Sequence, residues 1–152
     1  MNQAWRRSGG FTLIELSIVV MIMILGLGVI AVNISAGNHA SRLKSVARDL
    51  SSALRYARGQ ALVLRKPVSV DINLDENSYR ISSRDKTYHF SSEIDVTLEI
   101  AEDELKDKTG SLRFYPDGSS SGGRIKLEWG NLLEQLDVNW LTGKVDISHE
   151  AQ

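Results

Sequence analysis

An α+β protein, one long N-terminal helix laid against antiparallel β-sheet, is the fold class the sequence predicts, on three observations. Residues 11–34 are almost wholly apolar. Residues 35–66 carry apolar side chains at three- and four-residue spacing. From Pro67 onward, apolar and polar residues alternate in short runs punctuated by Gly, Asn and Asp, the period-two pattern of half-buried strands. A chain of 152 residues leaves room for one modest domain beside the apolar segment. It has no cysteine, so neither a disulfide frame nor a thiolate metal site is available, and the domain relies on its own core and on docking to the helix.

The first element is the apolar segment. Between Phe11 and Val32 the polar side chains are Thr12, Glu15 and Ser17. As a helix this stretch rises ~33 Å at about 1.5 Å per residue, enough to cross a hydrocarbon core of roughly 30 Å. A carboxylate near mid-bilayer costs about 2.5–3.5 kcal/mol, and less near the interface. Glu15 therefore needs a positive partner.

The run Gly10-Phe11-Thr12-Leu13-Ile14-Glu15-Leu16, preceded by Arg6 and Arg7, resembles the class III signal of type IV prepilins and type II secretion pseudopilins. The resemblance implies that a membrane-embedded prepilin peptidase cuts between Gly10 and Phe11 and methylates the new Phe11 amine. It also implies that Glu15, fifth in the mature chain, meets the Phe11 amine of a neighbouring subunit during assembly. Two unit charges about 4 Å apart attract by about 4 kcal/mol at an effective dielectric of roughly 20, enough to offset the burial cost. The competing reading is a secretory signal peptide cut near Val29-Ile30-Ala31. The apolar run exceeds the roughly 7–15 residues of such a peptide's core, and Glu15 would be an arbitrary intrusion in it. Arg42, Lys44 and Arg48 on the far flank balance Arg6 and Arg7, so charge bias is nearly silent on orientation. A periplasmic C-terminal part follows from the resemblance.

The second element is an amphipathic stem over residues 35–66. Leu43, Val46, Ala47, Leu50, Leu54, Ala57, Ala61 and Leu64 form one apolar stripe, and Lys66-Pro67 closes the helix. Unbroken from Phe11 to Lys66, the helix would be ~84 Å long. Gly26, Gly28 and the segment Ser35 to Asn38 are expected weak points. Between Ser41 and Lys66 seven bases face one acid, a net of +6, whereas from Pro67 onward nine bases face seventeen acids, a net of -8. The basic face is either solvated or binds anionic headgroups, nucleic acid or acidic neighbours.

Strands follow. Val68, Val70 and Ile72 alternate with polar residues, Asn73 to Asn77 supplies a turn, and Tyr79 and Ile81 resume the alternation. Further strands are predicted at Thr87–Phe90, Val96–Ile100, Leu112–Tyr115, Arg124–Trp129, Leu136–Trp140 and Lys144–Ile147. Ala101–Lys108 is predicted to be a charged loop, and Trp129 and Trp140 to pack in or beside the sheet.

Phe114-Tyr115-Pro116-Asp117-Gly118, followed by Gly122-Gly123-Arg124, resembles the signature of H-type minor pseudopilins, the GspH family of the type II secretion system. Asp137 to Val145, with Thr142-Gly143 at its turn, resembles their closing hairpin. The FimT and FimU minor pilins of type IV pili are cousins, many with a cysteine pair in the head that this chain lacks.

Other chemistries fit poorly. Gly118 to Gly123 lacks the lysine and helix of a phosphate loop. Asp71, Asn73, Asp75 and Asn77 alternate like a calcium loop, but Glu76 and Ser82 stand where that loop needs glycine and glutamate. His39, His89 and His149 have no zinc-ligand spacing.

What the resemblance implies is a pilin-like fold with a cleaved leader (1–10), a transmembrane helix (11–34), a stem (35–66) and a periplasmic head (67–152). The site residues are Gly10 and Phe11 for cleavage, Phe11 for methylation and Glu15 for assembly. The implied role is a minor pseudopilin near the tip of an inner-membrane-anchored filament that drives protein export, helping to start its assembly. Implied partners are the prepilin peptidase, the other minor pseudopilins, the major pseudopilin and inner membrane lipid. No enzymatic activity, metal, cofactor, small-molecule ligand or nucleic acid is expected. The alternative is a minor pilin of the FimT/FimU kind, acting in pilus assembly or DNA uptake. The basic stem permits it, and the -8 head, which repels phosphate, disfavours it.

Overall fold

The computed structural model describes the backbone of residues 12–101, 105–106 and 108–151, and the side chains of these except 26–38, 105, 106, 150 and 151. The predicted fold class holds: the described residues form one helix and nine strands, in two antiparallel sheets. The chain divides into two units, residues 1–38 and 39–152.

Helix α1 runs Leu13–Leu64 and contributes to both units. Gly26, Gly28 and residues 35–38, expected weak points, are helical. The stem stripe is buried as its spacing requires: Leu43, Ala47, Leu50, Leu54, Ala57 and Ala61 are each no more than 1% exposed, and Val46 is half-buried. Leu64 departs from the expectation at 48% exposed. The helix also ends two residues earlier than expected, because Arg65 adopts a left-handed conformation (φ 51°) that turns the chain toward Pro67.

The first sheet contains β1 (Val68–Asn73), β2 (Ser78–Ile81), β3 (Thr87–His89), β5 (Leu105–Lys106) and β6 (Thr109–Phe114), in the order β3-β2-β1-β6-β5. The second holds β4 (Asp95–Glu99), β7 (Gly123–Trp129), β8 (Leu132–Val138) and β9 (Val145–Ala151), in the order β4-β7-β8-β9. Strand alternation places Val68, Val70, Ile72, Leu112 and Phe114 from the first sheet in one core with Ile125, Leu127, Leu136, Val138 and Val145 from the second. The stem stripe completes that core. Each such Leu, Ile, Val or Phe contributes about 1.5–3 kcal/mol on burial.

Three expectations are corrected. Within the predicted 101–108 loop, Leu105–Lys106 pairs with Thr109–Gly110 as the tight hairpin β5–β6. β8 begins at Leu132 rather than Leu136, since Gly130-Asn131 forms a two-residue turn between Trp129 and Leu132. Gly130, at φ 62°, supplies the left-handed backbone that such turns need. The same strand stops at Val138, where Asn139 starts a turn, so Trp140 lies beyond the sheet and is 66% exposed. Trp129 does pack, stacked on His39 with ring centroids 4.5 Å apart.

Burial pushes the Tyr79 phenol up to about 12, and Asp49 and Tyr88 add to the effect. The folded state thus favours the neutral phenol. This contribution is intact below the ordinary tyrosine range near pH 10 and is lost as pH climbs toward about 12. Urea unfolding of the full chain across that window is expected to show stability falling with pH, and Tyr79→Phe is expected to flatten the fall. Identical slopes in the two proteins would contradict this assignment.

Candidate functional site

Two regions hold the candidate residues. The first is the start of α1. Thr12 precedes the helix and its Oγ1 accepts a hydrogen bond from the Glu15 N–H (3.3 Å), while the Thr12 carbonyl accepts from the Leu16 N–H (3.2 Å). Thr12 is therefore the N-cap and Glu15 the third helical residue, the spacing of a capping box. A carboxylate in this first turn also opposes the positive end of the helix dipole. The sequence reading missed this local role, although Thr-x-x-Glu ahead of an apolar run is its usual sign. Beyond the cap, eleven large apolar side chains between Leu13 and Leu25 are exposed, from 45% at Val19 to 87% at Leu13. They cover every side of the helix. A helix apolar all round lies in a membrane or inside a larger assembly. Among the described residues no helix is long and apolar enough to cross a membrane, the described side chains of this segment stopping at Leu25. Arg6, Arg7, Gly10 and Phe11 lie outside the described residues.

The second region joins the two glycine-bearing turns of the head to the stem. In the first turn Pro116 and Asp117 occupy the centre of a β-turn closed by Gly118 N–H to the Tyr115 carbonyl (3.0 Å). Asp117 Oδ1 accepts from the Ser119 hydroxyl (2.6 Å) and the Ser119 N–H (3.0 Å), which hold its carboxyl below the usual carboxylate range. In the second turn, Asn139 Oδ1 accepts from the N–H groups of Leu141 and Thr142, both at 3.0 Å, and the Gly143 N–H closes on the Asn139 carbonyl (2.8 Å).

The turns interlock. Ser120 N–H donates to the Trp140 carbonyl (2.8 Å) and the Ser120 hydroxyl to the Asn139 carbonyl (3.1 Å). A side chain at Gly143 would overlap the Gly118 carbonyl oxygen, and one at Gly122 would come within 2.8 Å of Trp140 Cβ. Two stem arginines hold the assembly down: Arg58 Nε donates to the Gly118 carbonyl (3.1 Å), and Arg55 Nη2 to the Val145 carbonyl (3.1 Å). The basic stem is thus divided. Arg55 and Arg58 serve the head, whereas Arg42, Lys44 and Arg48 remain exposed.

The signature turns that carried the resemblance form a structural lock between head and stem. In the other discounted loop, Asn73 Oδ1 accepts from the N–H groups of Asp75 (2.9 Å) and Glu76 (3.0 Å), and Asp75 pairs with Lys108 at 2.8 Å.

Comparison with known proteins gives this arrangement a family. The profile described as "Type II transport protein GspH" matches residues 46–142, taking in the stem stripe from Val46 onward, the first turn, the second as far as Thr142, and the arginines that join them. The chain belongs to the GspH family. A second profile, "Prokaryotic N-terminal methylation motif", matches residues 5–31. Among curated proteins, the type II secretion system protein H of Xanthomonas campestris pv. campestris is 26% identical over 145 residues, covering 92% of this chain and 83% of the relative. Two solved structures share the fold. The minor pseudopilin EpsH from the type II secretion system of Vibrio cholerae superposes with a TM-score of 0.57 at 11% identity, over 71% of this chain and 97% of that one. The type IV minor pilin FimU of Pseudomonas aeruginosa gives 0.57 at 16% identity, over 72% and 90%. As a GspH-family member the chain is a minor pseudopilin of the type II secretion system, and the pilus alternative is the less favoured one. Family membership also implies assembly with other pseudopilins.

The lock separates glycines by their surroundings. Gly143→Ala, strained at φ 61° and overlapping a carbonyl, is expected to cost about 2–4 kcal/mol in urea unfolding. Gly59→Ala sits in the helix with open space around it and is expected to gain about 0.5–1 kcal/mol. A tolerated Gly143→Ala would contradict the interlocked-turn geometry.

Proposed function

We propose that this GspH-family chain is a single-pass subunit of the bacterial inner membrane, with leader 1–10, membrane helix 11–34, stem 35–66 and periplasmic head 67–152. Its role is structural rather than catalytic: it sits near the tip of the periplasmic pseudopilus and helps start the filament that drives protein export. The observation that carries this reading is the exposed apolar collar from Leu13 to Leu25, interrupted by Glu15 and Ser17 and capped by Thr12. It falls inside the segment matched by the N-terminal methylation profile.

In this reading Arg6 and Arg7 hold the leader in the cytoplasm, and the prepilin peptidase cuts after Gly10 and methylates Phe11. Lipid covers the collar first and the neighbouring subunits' helices cover it afterwards. Glu15 then acts twice. Within its own chain it stands in the first turn of α1, where a negative charge suits the helix dipole. Between chains it attracts the Phe11 amine of the next subunit, by about 4 kcal/mol at roughly 4 Å and an effective dielectric of roughly 20.

Gly10→Val is expected to leave the leader attached, and N-terminal sequencing of the membrane-extracted protein checks this: the wild type should begin at Phe11 and the variant should not. Normal cleavage of the variant would refute the site. At Glu15 two substitutions separate charge from capping. Glu15→Gln keeps a capping side chain without the charge, so co-purification with the major pseudopilin should fall as far as in Glu15→Leu while processing proceeds in both. Full recruitment of Glu15→Gln would reduce Glu15 to a helix cap.

A further inference from the structure

A cleft of about 540 Å³ lies between the stem and the outer strand β3. Its stem wall includes Val46, Ala53 and Tyr56, its floor Tyr79 and Phe90, and Arg84 stands among its lining residues. The strand beside it is open on one side: among the described residues β3 pairs with β2 alone.

The register shows which main-chain groups face outward. Phe90 N–H donates to the Asn77 carbonyl at 2.8 Å, and the same register sets Tyr88 opposite Tyr79, with Thr87 and His89 opposite Arg80 and Ser78. Bonded and non-bonded pairs alternate along an antiparallel ladder. Tyr88 therefore forms the next bonded pair, and Thr87 and His89 turn their N–H and C=O groups away from β2. Both residues are exposed.

Arg84 lines the cleft and Lys86 stands beside it. Arg84 lies 4.1 Å over the Tyr56 ring and donates to the Tyr88 hydroxyl at 3.3 Å, and Lys86 lies 4.8 Å over the Tyr88 ring. Among the described residues neither has a carboxylate partner. They stand in a segment whose overall balance is -8, so a local positive rim borders an aromatic floor on the strand side, with Asp49 on the stem wall.

We propose that this cleft docks an extended acidic peptide segment of a neighbouring protein subunit, which adds to β3 as a strand, seats an apolar side chain on the Tyr79–Phe90 floor and sets a carboxylate against Arg84. Main-chain pairing at a sheet edge supplies affinity, and pockets beside alternate residues supply selectivity. A single-stranded nucleic acid is the poorer occupant. Tyr79 and Tyr88 already stack on each other at 5.0 Å, Lys86 lies over the Tyr88 ring and Arg84 over the Tyr56 ring, so the cleft offers few free ring faces on which a base could stack. The inference concerns the stem and head and is independent of the role proposed for Glu15.

The test uses the full chain in detergent micelles and fluorescence anisotropy of three labelled probes. These are a blocked hexapeptide alternating aspartate with valine and phenylalanine, the same peptide with asparagine for aspartate, and a ten-nucleotide oligothymidylate. The acidic peptide should bind most tightly. Arg84→Gln should weaken it at least about five-fold and remove the preference over the asparagine peptide. Thr87→Pro removes one outward N–H while leaving the β2 pairing intact, a substitution edge strands tolerate. It should weaken both peptides at least about five-fold with an unchanged thermal transition. Failure of the acidic peptide to bind, tighter binding of the oligothymidylate, or full binding by both variants would overturn the proposal. If Thr87→Pro unfolds, the Arg84→Gln comparison decides alone.

Discussion

The fold of the head depends on one junction, the Arg58 guanidinium held on the Gly118 carbonyl with Gly143 closed over both. A side chain at either glycine would meet the arginine, so the turns approach the stem only because both residues lack one. The left-handed backbone at the two positions, φ 87° and 61°, is the other half of that requirement. Partly buried hydrogen bonds of this kind matter most through what their loss would leave behind, an arginine and a carbonyl with no partner. In a chain without disulfides, the junction and the core beneath it take over the work of cross-links.

Much of this was legible in the residues. The helical stripe at Leu43, Ala47, Leu50, Leu54, Ala57 and Ala61 marks the buried face because 3.6-residue periodicity allows few others. β1 was equally plain from the alternation of Val68, Val70 and Ile72. The misreadings share a cause. Leu132 to Gln135 does not alternate cleanly, since Glu134 points into the interior and is only 4% exposed, paired across the ladder with His149. A buried carboxylate reads as a surface residue until its partner strand is known. Leu105–Lys106 is a strand by virtue of its neighbour and not of its composition, a tertiary effect that propensity cannot carry.

The candidate site was legible in a different sense. The turn around Pro116 to Gly118 and the one ending in Gly143 stand out as turn chemistry, but nothing in either announces that they touch each other or that Arg55 and Arg58 belong to them. Long-range carbonyl contacts leave no periodic trace. The bases of the stem consequently read as a uniform surface, whereas the structure assigns two of them to the head. At the other end, Thr12 and Glu15 are visible both as a helix cap and as a family signal, and the two descriptions are compatible because the first turn of a helix is already where a negative charge is favoured.

The bonds from Arg55 to Val145 and from Arg58 to Gly118 span 90 and 60 positions of the chain. Contacts so distant in sequence form late, because the loop between them must be ordered before they return any free energy. A polypeptide delivered amino end first therefore exposes its stem arginines long before their acceptors arrive. The head thus closes only once β9, which opens with the Val145 acceptor, is in place.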